Sequence, residues 1–471
     1  MIRPTLALAL LLSTALPTAA DQTFVPSAFT DDDDDDAGGG DDDAGDDDDD
    51  DDDGARGAIP VRQADDDDDG PGGEGPGDDD GRGDDGDDDD DGIDDDDPEY
   101  ARYAGPDGPR ALNNDEILDS NGDLARRAEI AALGAPDWAL RRARRLGFTV
   151  IEAIALDGLG TSVTILAAPR GLTVREALAR LRSGDGETIY DYNHFYSYRP
   201  TMAGRAEPAP EAPRRTPLTM RADIAIGLID AVVDTRHAAL DARLIETRSF
   251  SPDARAATTD HGTSVAGLLV GRETGFAPHA KLYAAGVFSA SAGGEAVSAA
   301  LELVRALDWM VENDVAVINM SLAGPDNALL RAAVARAVAR GHLVVAAVGN
   351  DGPNARPLFP AAYDGVVGVT AVDADNRVYR LAARGPQVDL AAPGVDVISA
   401  AGTGYARQTG TSFAAPHVAA VLAARVTGLS PDAAKAALAA VIAEADDLGT
   451  AGRDDTYGHG LAPGGRSVAV D

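Results

Sequence analysis

Gly410-Thr411-Ser412-Phe413-Ala414-Ala415-Pro416-His417 sets a serine between a Gly-Thr turn and an apolar helical run that continues through Val418, Ala419, Ala420, Val421 and Leu422. A hydroxyl at such a junction sits near the positive end of a helix, on a backbone that cannot drift. That suits an oxygen attacking a carbonyl and the negative charge that develops beside it. A serine there is also a common helix cap with no chemistry attached, so its meaning depends on what surrounds it.

Around it, from residue 222 onward, buried strands alternate with helices. The strand candidates are 222–229, 281–287, 315–320, 343–348, 366–372 and 388–391, and the helix candidates are 262–270, 295–311, 327–340, 412–426 and 432–443. Continuous apolar strands separated by amphipathic helices predict an α/β fold with a mostly parallel, doubly wound sheet. In such sheets a site forms beyond the carboxyl ends of the strands.

Two further residues stand at junctions of that kind. Asp230 closes the first strand, Ile226-Gly227-Leu228-Ile229-Asp230, where it can orient a neighbour or simply open a turn. His261 lies in Asp260-His261-Gly262-Thr263-Ser264-Val265-Ala266-Gly267, ahead of a helix so rich in small residues that another backbone must pass close by. A serine hydroxyl is a poor nucleophile at neutral pH and needs an imidazole to take its proton. The imidazole in turn needs a carboxylate to hold its tautomer and stabilise its charged form. Asp230, His261 and Ser412 together supply those three parts.

At these residues the chain resembles the subtilisin family (subtilases) of serine peptidases over residues 222–471, down to the order Asp, His, Ser. The block from Asp260 to Gly267 is similar to that family's histidine motif, and the block from Gly410 to His417 to its serine motif. Ala347-Val348-Gly349-Asn350 resembles the segment whose asparagine donates to the oxyanion, and an amide NH2 is a suitable neutral donor. The resemblance implies that Ser321, Leu322, Ala323 and Gly324 line the substrate backbone. It also implies that Ala347, Val348 and Gly349 form the other wall of the first specificity pocket. Two departures stand out. Ala231 and Val232 follow Asp230 where the family has a hydroxyl residue and glycine, so a local hydroxyl partner for Asp230 is missing. Ala323 replaces a pocket-edge glycine and Leu358 stands at the pocket floor; both add bulk and predict small or medium apolar residues before the cut bond.

The rest of the chain is read against this region. Of the formal net charge of −41, residues 31–97 contribute −34, through thirty-six aspartates, Glu74 and three arginines. The acidity is therefore a local tract, expected to be disordered over residues 21–109 and read first as a solvated spacer. Asp119, Asn121 and Asp123 begin a calcium-loop spacing, but Leu124 takes the place of its glycine. There is no cysteine, which excludes disulfides and thiolate chemistry. Arg3, the apolar run from Leu6 to Leu12, Pro17 and Thr18-Ala19-Ala20 have the layout of a signal peptide over residues 1–20. The mature protein is expected to be exported, without a membrane span and without a nucleic-acid partner.

Residues 110–200 read as a small α+β unit, helix-strand-strand-helix-strand from residue 136 on, joined to the peptidase-like region by a proline-rich linker over 201–221. By resemblance this unit is similar to the family's propeptides. It would act as an intramolecular inhibitor, with Tyr190-Asp191-Tyr192-Asn193-His194-Phe195-Tyr196 as the end that feeds the cleft. The expected function is an exported serine endopeptidase made as a zymogen, acting on protein or peptide substrates and requiring no cofactor. Structural calcium accompanies many such domains, but no ligand set can be assigned from this sequence. The rival readings are a non-catalytic protein of the same fold and an acidic calcium-binding surface protein.

Overall fold

The computed structural model describes residues 102–105, 108–112, 114–198, 215–252, 260–290 and 296–465, all within one compact unit, Asp89–Asp471. The expected signal peptide, the aspartate tract and the linker through residue 214 lie outside the described residues. Strands Arg102–Gly105 and Gly108–Ala111 pair with each other, so regular structure begins before residue 110, where the disordered segment was expected to end. The aspartate run stops at residue 97, and the Gly-Pro-Asp-Gly sequence at 105–108 carries turn chemistry.

The N-terminal α+β region is built from β1 (Leu124–Leu133), α1 (Asp137–Arg145), β2 (Thr149–Leu156), β3 (Thr161–Ala167), α2 (Val174–Arg182) and β4 (Ile189–Ser197). Helix α2 starts where the sequence offers a capping box: Thr173 accepts from the Glu176 N–H while the Glu176 carboxylate accepts from the Thr173 N–H. Arg142 on α1 donates to the Leu181 and Arg180 carbonyls at the other end of α2.

The sheet alternates its burial between two faces. Ile130, Ala132, Leu166, Tyr190 and Tyr192 pack under Ala143 of α1 and Ala177, Leu178 and Leu181 of α2. Their neighbours Ala131, Leu133, Val163 and Ile165 join a different core, shared with Leu303, Leu307 and Met310. Each leucine withdrawn from water there contributes roughly 2 kcal/mol. The sheet is thus covered on both faces.

The larger region contains β5 (Ala225–Asp230), β6 (Ile245–Ser249), α3 (Asp260–Val270), β7 (Lys281–Gly286), β8 (Ala296–Ala299), α4 (Ala300–Glu312), β9 (Val317–Met320), α5 (Ala328–Ala339), β10 (Leu343–Ala347), β11 (Val366–Val372), β12 (Leu390–Pro393), β13 (Val397–Ala401), β14 (Gly404–Gln408), α6 (Thr411–Arg425) and α7 (Pro431–Glu444). Seven strands form one parallel sheet in the order β12-β11-β10-β9-β5-β7-β6. Ile229, Ile318 and Val344 face α4 and α5, while Ile226, Leu228, Val317 and Val345 face α3, α6 and α7. The doubly wound α/β architecture read from the alternating pattern is the one observed.

One segment departs from its predicted element. Residues 296–299, expected inside a helix, form β8 and pair antiparallel with β4. The helix begins only at Ala300, and the Leu301 N–H is taken by the Asn193 side chain of β4, 3.1 Å away. A cap supplied from another element replaces the one the local sequence lacks. The second sheet then runs from a short strand, Ser289–Ala290, through β8-β4-β1-β3-β2, with Glu116–Leu118 also paired to β1, antiparallel throughout.

Candidate active site

Asp230 ends β5 and is fully buried. Its Oδ1 accepts from the Ala231 N–H at 2.6 Å and lies 2.7 Å from His261 Nδ1. The backbone of Ala231 thus serves Asp230 where a side-chain hydroxyl was missed in the sequence. His261 is the second residue of α3, and the small-residue run behind it has a physical cause. A Cβ on Gly262 would lie 2.2 Å from the Ala231 carbonyl oxygen, and one on Gly267 would lie 2.8 Å from Ser399 Oγ. Close approach of α3 to the end of β5 and to β13 is what holds the imidazole against Asp230.

Ser412 follows Gly410, whose φ of 147° is open to glycine, and Thr411, the first residue of α6. Its Oγ donates to the Ser321 carbonyl at 3.4 Å. Its own carbonyl accepts from Ser321 Oγ at 2.8 Å. Among the described residues no hydrogen bond joins Ser412 to His261, and His261 Nε2 has no partner. A serine and imidazole of this kind often come within reach of each other only when substrate is bound.

Asn350 lies at the start of the turn after β10, and its Oδ1 accepts from both the backbone N–H and the hydroxyl of Thr411, each at 3.0 Å. A backbone N–H can only donate, so the oxygen must face Thr411, leaving the amide Nδ2 for another acceptor. Thr411 was quoted in the serine motif but given no role; its position before the serine was the available signal.

Ser321 continues β9 with its hydroxyl held by Asn319 Nδ2 at 2.9 Å. Leu322 is buried, Ala323 pairs with Ser197, and Gly324 pairs with Phe359. Ala347 ends β10, and the Val348 N–H donates to the Val369 carbonyl at 3.1 Å. Gly349, at φ 100°, has Leu358 Cδ1 2.6 Å from where a Cβ would stand, so Leu358 fills the space against this wall.

The end of β4 runs into the same region. Ser197 pairs antiparallel with Val297 of β8 on one side and with Ala323 on the other, exchanging N–H···O bonds of 3.1 and 3.0 Å with Ala323. Tyr198 stacks on His261, ring centroids 4.0 Å apart and planes at 18°. The residues that reach the site are therefore 196–198. The aromatic end expected there was residues 190–196, but Tyr190 and Tyr192 belong to the N-terminal region's own core.

Further contacts fix that region to α4 and α5. Asp191 accepts from the Ala328 N–H at 2.7 Å, and Asn327 donates to the Tyr192 carbonyl at 2.9 Å. Asp308 accepts from the Leu159 N–H at 2.8 Å. Burial pushes the Asp308 carboxyl up to about 6, with Glu312 and Asp157 adding to the shift and the Leu159 and Gly158 amides opposing it.

Two other histidines are accounted for. His417, inside α6, stacks on Phe276 at 4.2 Å, and burial lowers its pKa to about 4, so it stays a neutral core residue. His194 lies 3.2 Å from Asp119 and accepts from Asn327, a second His–Asp pair that sequence spacing did not reveal. It accounts for Asp119, which is turned inward; Asp123 pairs with Arg356. Among the described residues no group of three or more His, Asp or Glu is gathered where it could hold a metal ion. No helix among them is long and apolar enough to cross a membrane.

Comparison with known proteins identifies the family. A family model described as the subtilase family matches residues 221–460. The chain is similar to the minor extracellular protease Epr of Bacillus subtilis, 37% identical over 210 residues, which cover 43% of this chain and 32% of that protein. It is 34% identical to subtilisin DY of Bacillus licheniformis over 212 residues, covering 42% of this chain and 74% of that one. Subtilisin E of Bacillus subtilis is 33% identical over 210 residues, and the chain spans 54% of its length.

Proposed function

The chain belongs to the subtilase family, and from that premise we propose that it is an exported serine endopeptidase made as a self-processed zymogen. The observation that carries the reading is the 2.7 Å contact between His261 Nδ1 and the fully buried Asp230. It fixes Nδ1 as the protonated nitrogen and leaves Nε2 as a base.

Ser412 Oγ attacks the scissile carbonyl while His261 Nε2 takes its proton. The tetrahedral oxyanion is held by Asn350 Nδ2 and the Ser412 N–H. His261 then gives the proton to the leaving amine, and the acyl group remains on Ser412. Water enters, loses a proton to His261 and attacks the ester, and the proton returns to Ser412 as the acid departs. Asp230 orients His261 throughout and stabilises its charged form.

The N-terminal region, residues 110–200, acts as the intramolecular inhibitor. In support, Ser197 pairs with Ala323 and Tyr198 covers His261. Residues 1–20 are the signal peptide on the strength of their sequence layout, and the linker of residues 201–221 is where the inhibitor is severed.

A fluorophosphonate probe and mass spectrometry of the expressed full chain test this reading together. The processed protein is expected to carry the label on Ser412, and the Ser412→Ala chain is expected to remain uncut. An unlabelled processed protein would favour a non-catalytic member of the fold, and an unchanged N-terminus in the variant would exclude self-cleavage.

A further inference from the structure

Ser264 is fully buried on α3, one turn after His261, and its hydroxyl bonds outside its own helix. It donates to the Ala400 carbonyl at 2.6 Å and accepts from Gln408 Nε2 at 3.1 Å. A hydroxyl has one hydrogen to give, so the bond to Ala400 leaves the oxygen to receive Gln408. The Ser264 carbonyl also accepts from Ser399 Oγ at 2.5 Å. Ser399 and Ala400 lie on β13 and Gln408 closes β14, so both strands of one hairpin are tied to a single residue of α3. A Cβ on Gly267 would stand 2.9 Å from Ala400 Cβ, which leaves the helix no room to slide along β13.

The second strand of that hairpin leads straight to the serine. Gln408 is four residues before Ser412, and the residues between are pinned as well. Thr409 Oγ1 accepts from the Asp396 N–H at 2.9 Å, and the Gly410 N–H donates to the Gly394 carbonyl at 2.7 Å. A continuous frame therefore runs from α3 through Ser264 and β14 into the first turn of α6. His261 and Ser412, which share no hydrogen bond among the described residues, are spaced by this frame.

We infer that Ser264 is a positioning residue that sets the reach between His261 Nε2 and Ser412 Oγ by clamping α3 to the strand that carries the serine. The inference rests on the peptidase reading above. Ser264 touches neither of the two reacting groups and acts through Gln408 and β13. Without its hydroxyl, the Ala400 carbonyl and the Gln408 amide lose a buried partner, and α3 and β14 can shift independently. Proton transfer is steep in alignment, a misplacement of about 1 Å being able to cost about 10²-fold in rate. The strand proposed to pair with substrate, Ser321 to Gly324, belongs to other elements, so substrate binding is left in place.

The test uses the full chains of wild type, Ser264→Ala, Ser399→Ala and Val441→Ala after processing, with a blocked tetra-alanine nitroanilide as substrate. Ser264→Ala is expected to lower kcat about tenfold with KM within twofold of wild type, and to slow fluorophosphonate labelling of Ser412 by a similar factor. Ser399→Ala, which removes one bond and keeps Gln408, is expected to lower kcat about threefold. Val441→Ala hollows the core at α7, away from the hairpin, and is expected to lose stability in urea while keeping kcat. If Ser264→Ala is unfolded in the absence of urea, the Ser399→Ala result decides. A kcat unchanged in the folded variants, a change confined to KM, or an equal fall in Val441→Ala overturns the positioning role and leaves the peptidase reading intact. If the wild-type chain cuts no peptide and takes no label, both fall together.

Discussion

Asn350 and Thr411 are joined by two hydrogen bonds of 3.0 Å to a single oxygen, Asn350 Oδ1, one from the threonine backbone and one from its hydroxyl. Thr411, the residue before the proposed nucleophile, therefore aims the amide proposed to meet the oxyanion. Thr411→Val removes the hydroxyl bond and keeps the backbone one. We expect kcat to fall about tenfold with KM nearly unchanged, whereas Asn350→Leu lowers kcat by about 10²–10³. Steady-state kinetics on a peptide anilide checks both, and a change confined to KM would count against the oxyanion role.

Gly262 faces the Ala231 carbonyl across a gap that holds no side chain. Gly262→Ala must push α3 away from the end of β5, and with it His261 from Asp230. The variant is expected to lose roughly 1–3 kcal/mol of stability, read by urea unfolding. Its kcat should fall more than that loss explains, since the imidazole moves with the helix.

Leu358 lies against Gly349 in the wall assigned to the residue before the cut. Leu358→Ala opens this space, so cleavage after phenylalanine should rise about tenfold relative to cleavage after alanine. A peptide library read by mass spectrometry gives the ratio directly. An unchanged profile would place the specificity elsewhere.

Asp308 supplies a pH dependence. Its carboxyl is raised to about 6 in the folded chain, chiefly by burial, against an ordinary value near 3.8. The folded chain thus holds the proton more tightly than the unfolded chain, and stability is lost as pH rises between those two values. Asp308→Asn keeps an acceptor for the Leu159 N–H but carries no charge. The melting temperature of the variant relative to wild type should therefore increase from pH 4 to pH 7 and level off above that. Glu302, also on α4 and raised by burial, titrates in the same direction and remains in both proteins.

The central sheet was legible because parallel strands buried on both faces read as unbroken apolar runs, and 366–372 matched its strand to the residue. The site was legible because its residues sit in short motifs at strand and helix ends. What escaped the sequence depended on contacts between distant segments. Strand β1, Leu-Ala-Arg-Arg-Ala-Glu-Ile-Ala-Ala-Leu, has the composition of a helix and is extended only because β3 and β4 flank it. Likewise β8 is a strand because β4 lies beside it. The His194–Asp119 pair spans seventy-five positions and has no local signature.

Ser197 is held through its backbone from both sides, by Val297 and by Ala323. If the N-terminal region is severed as proposed, those two edges face each other across the width of one missing strand. A protein whose strands are already paired has no free backbone to offer such a gap, whatever its side chains. Under the proposed function, the first selection is thus of conformation: a segment must be unpaired and extended, so loops, tails and unfolded chains are read before any side chain is.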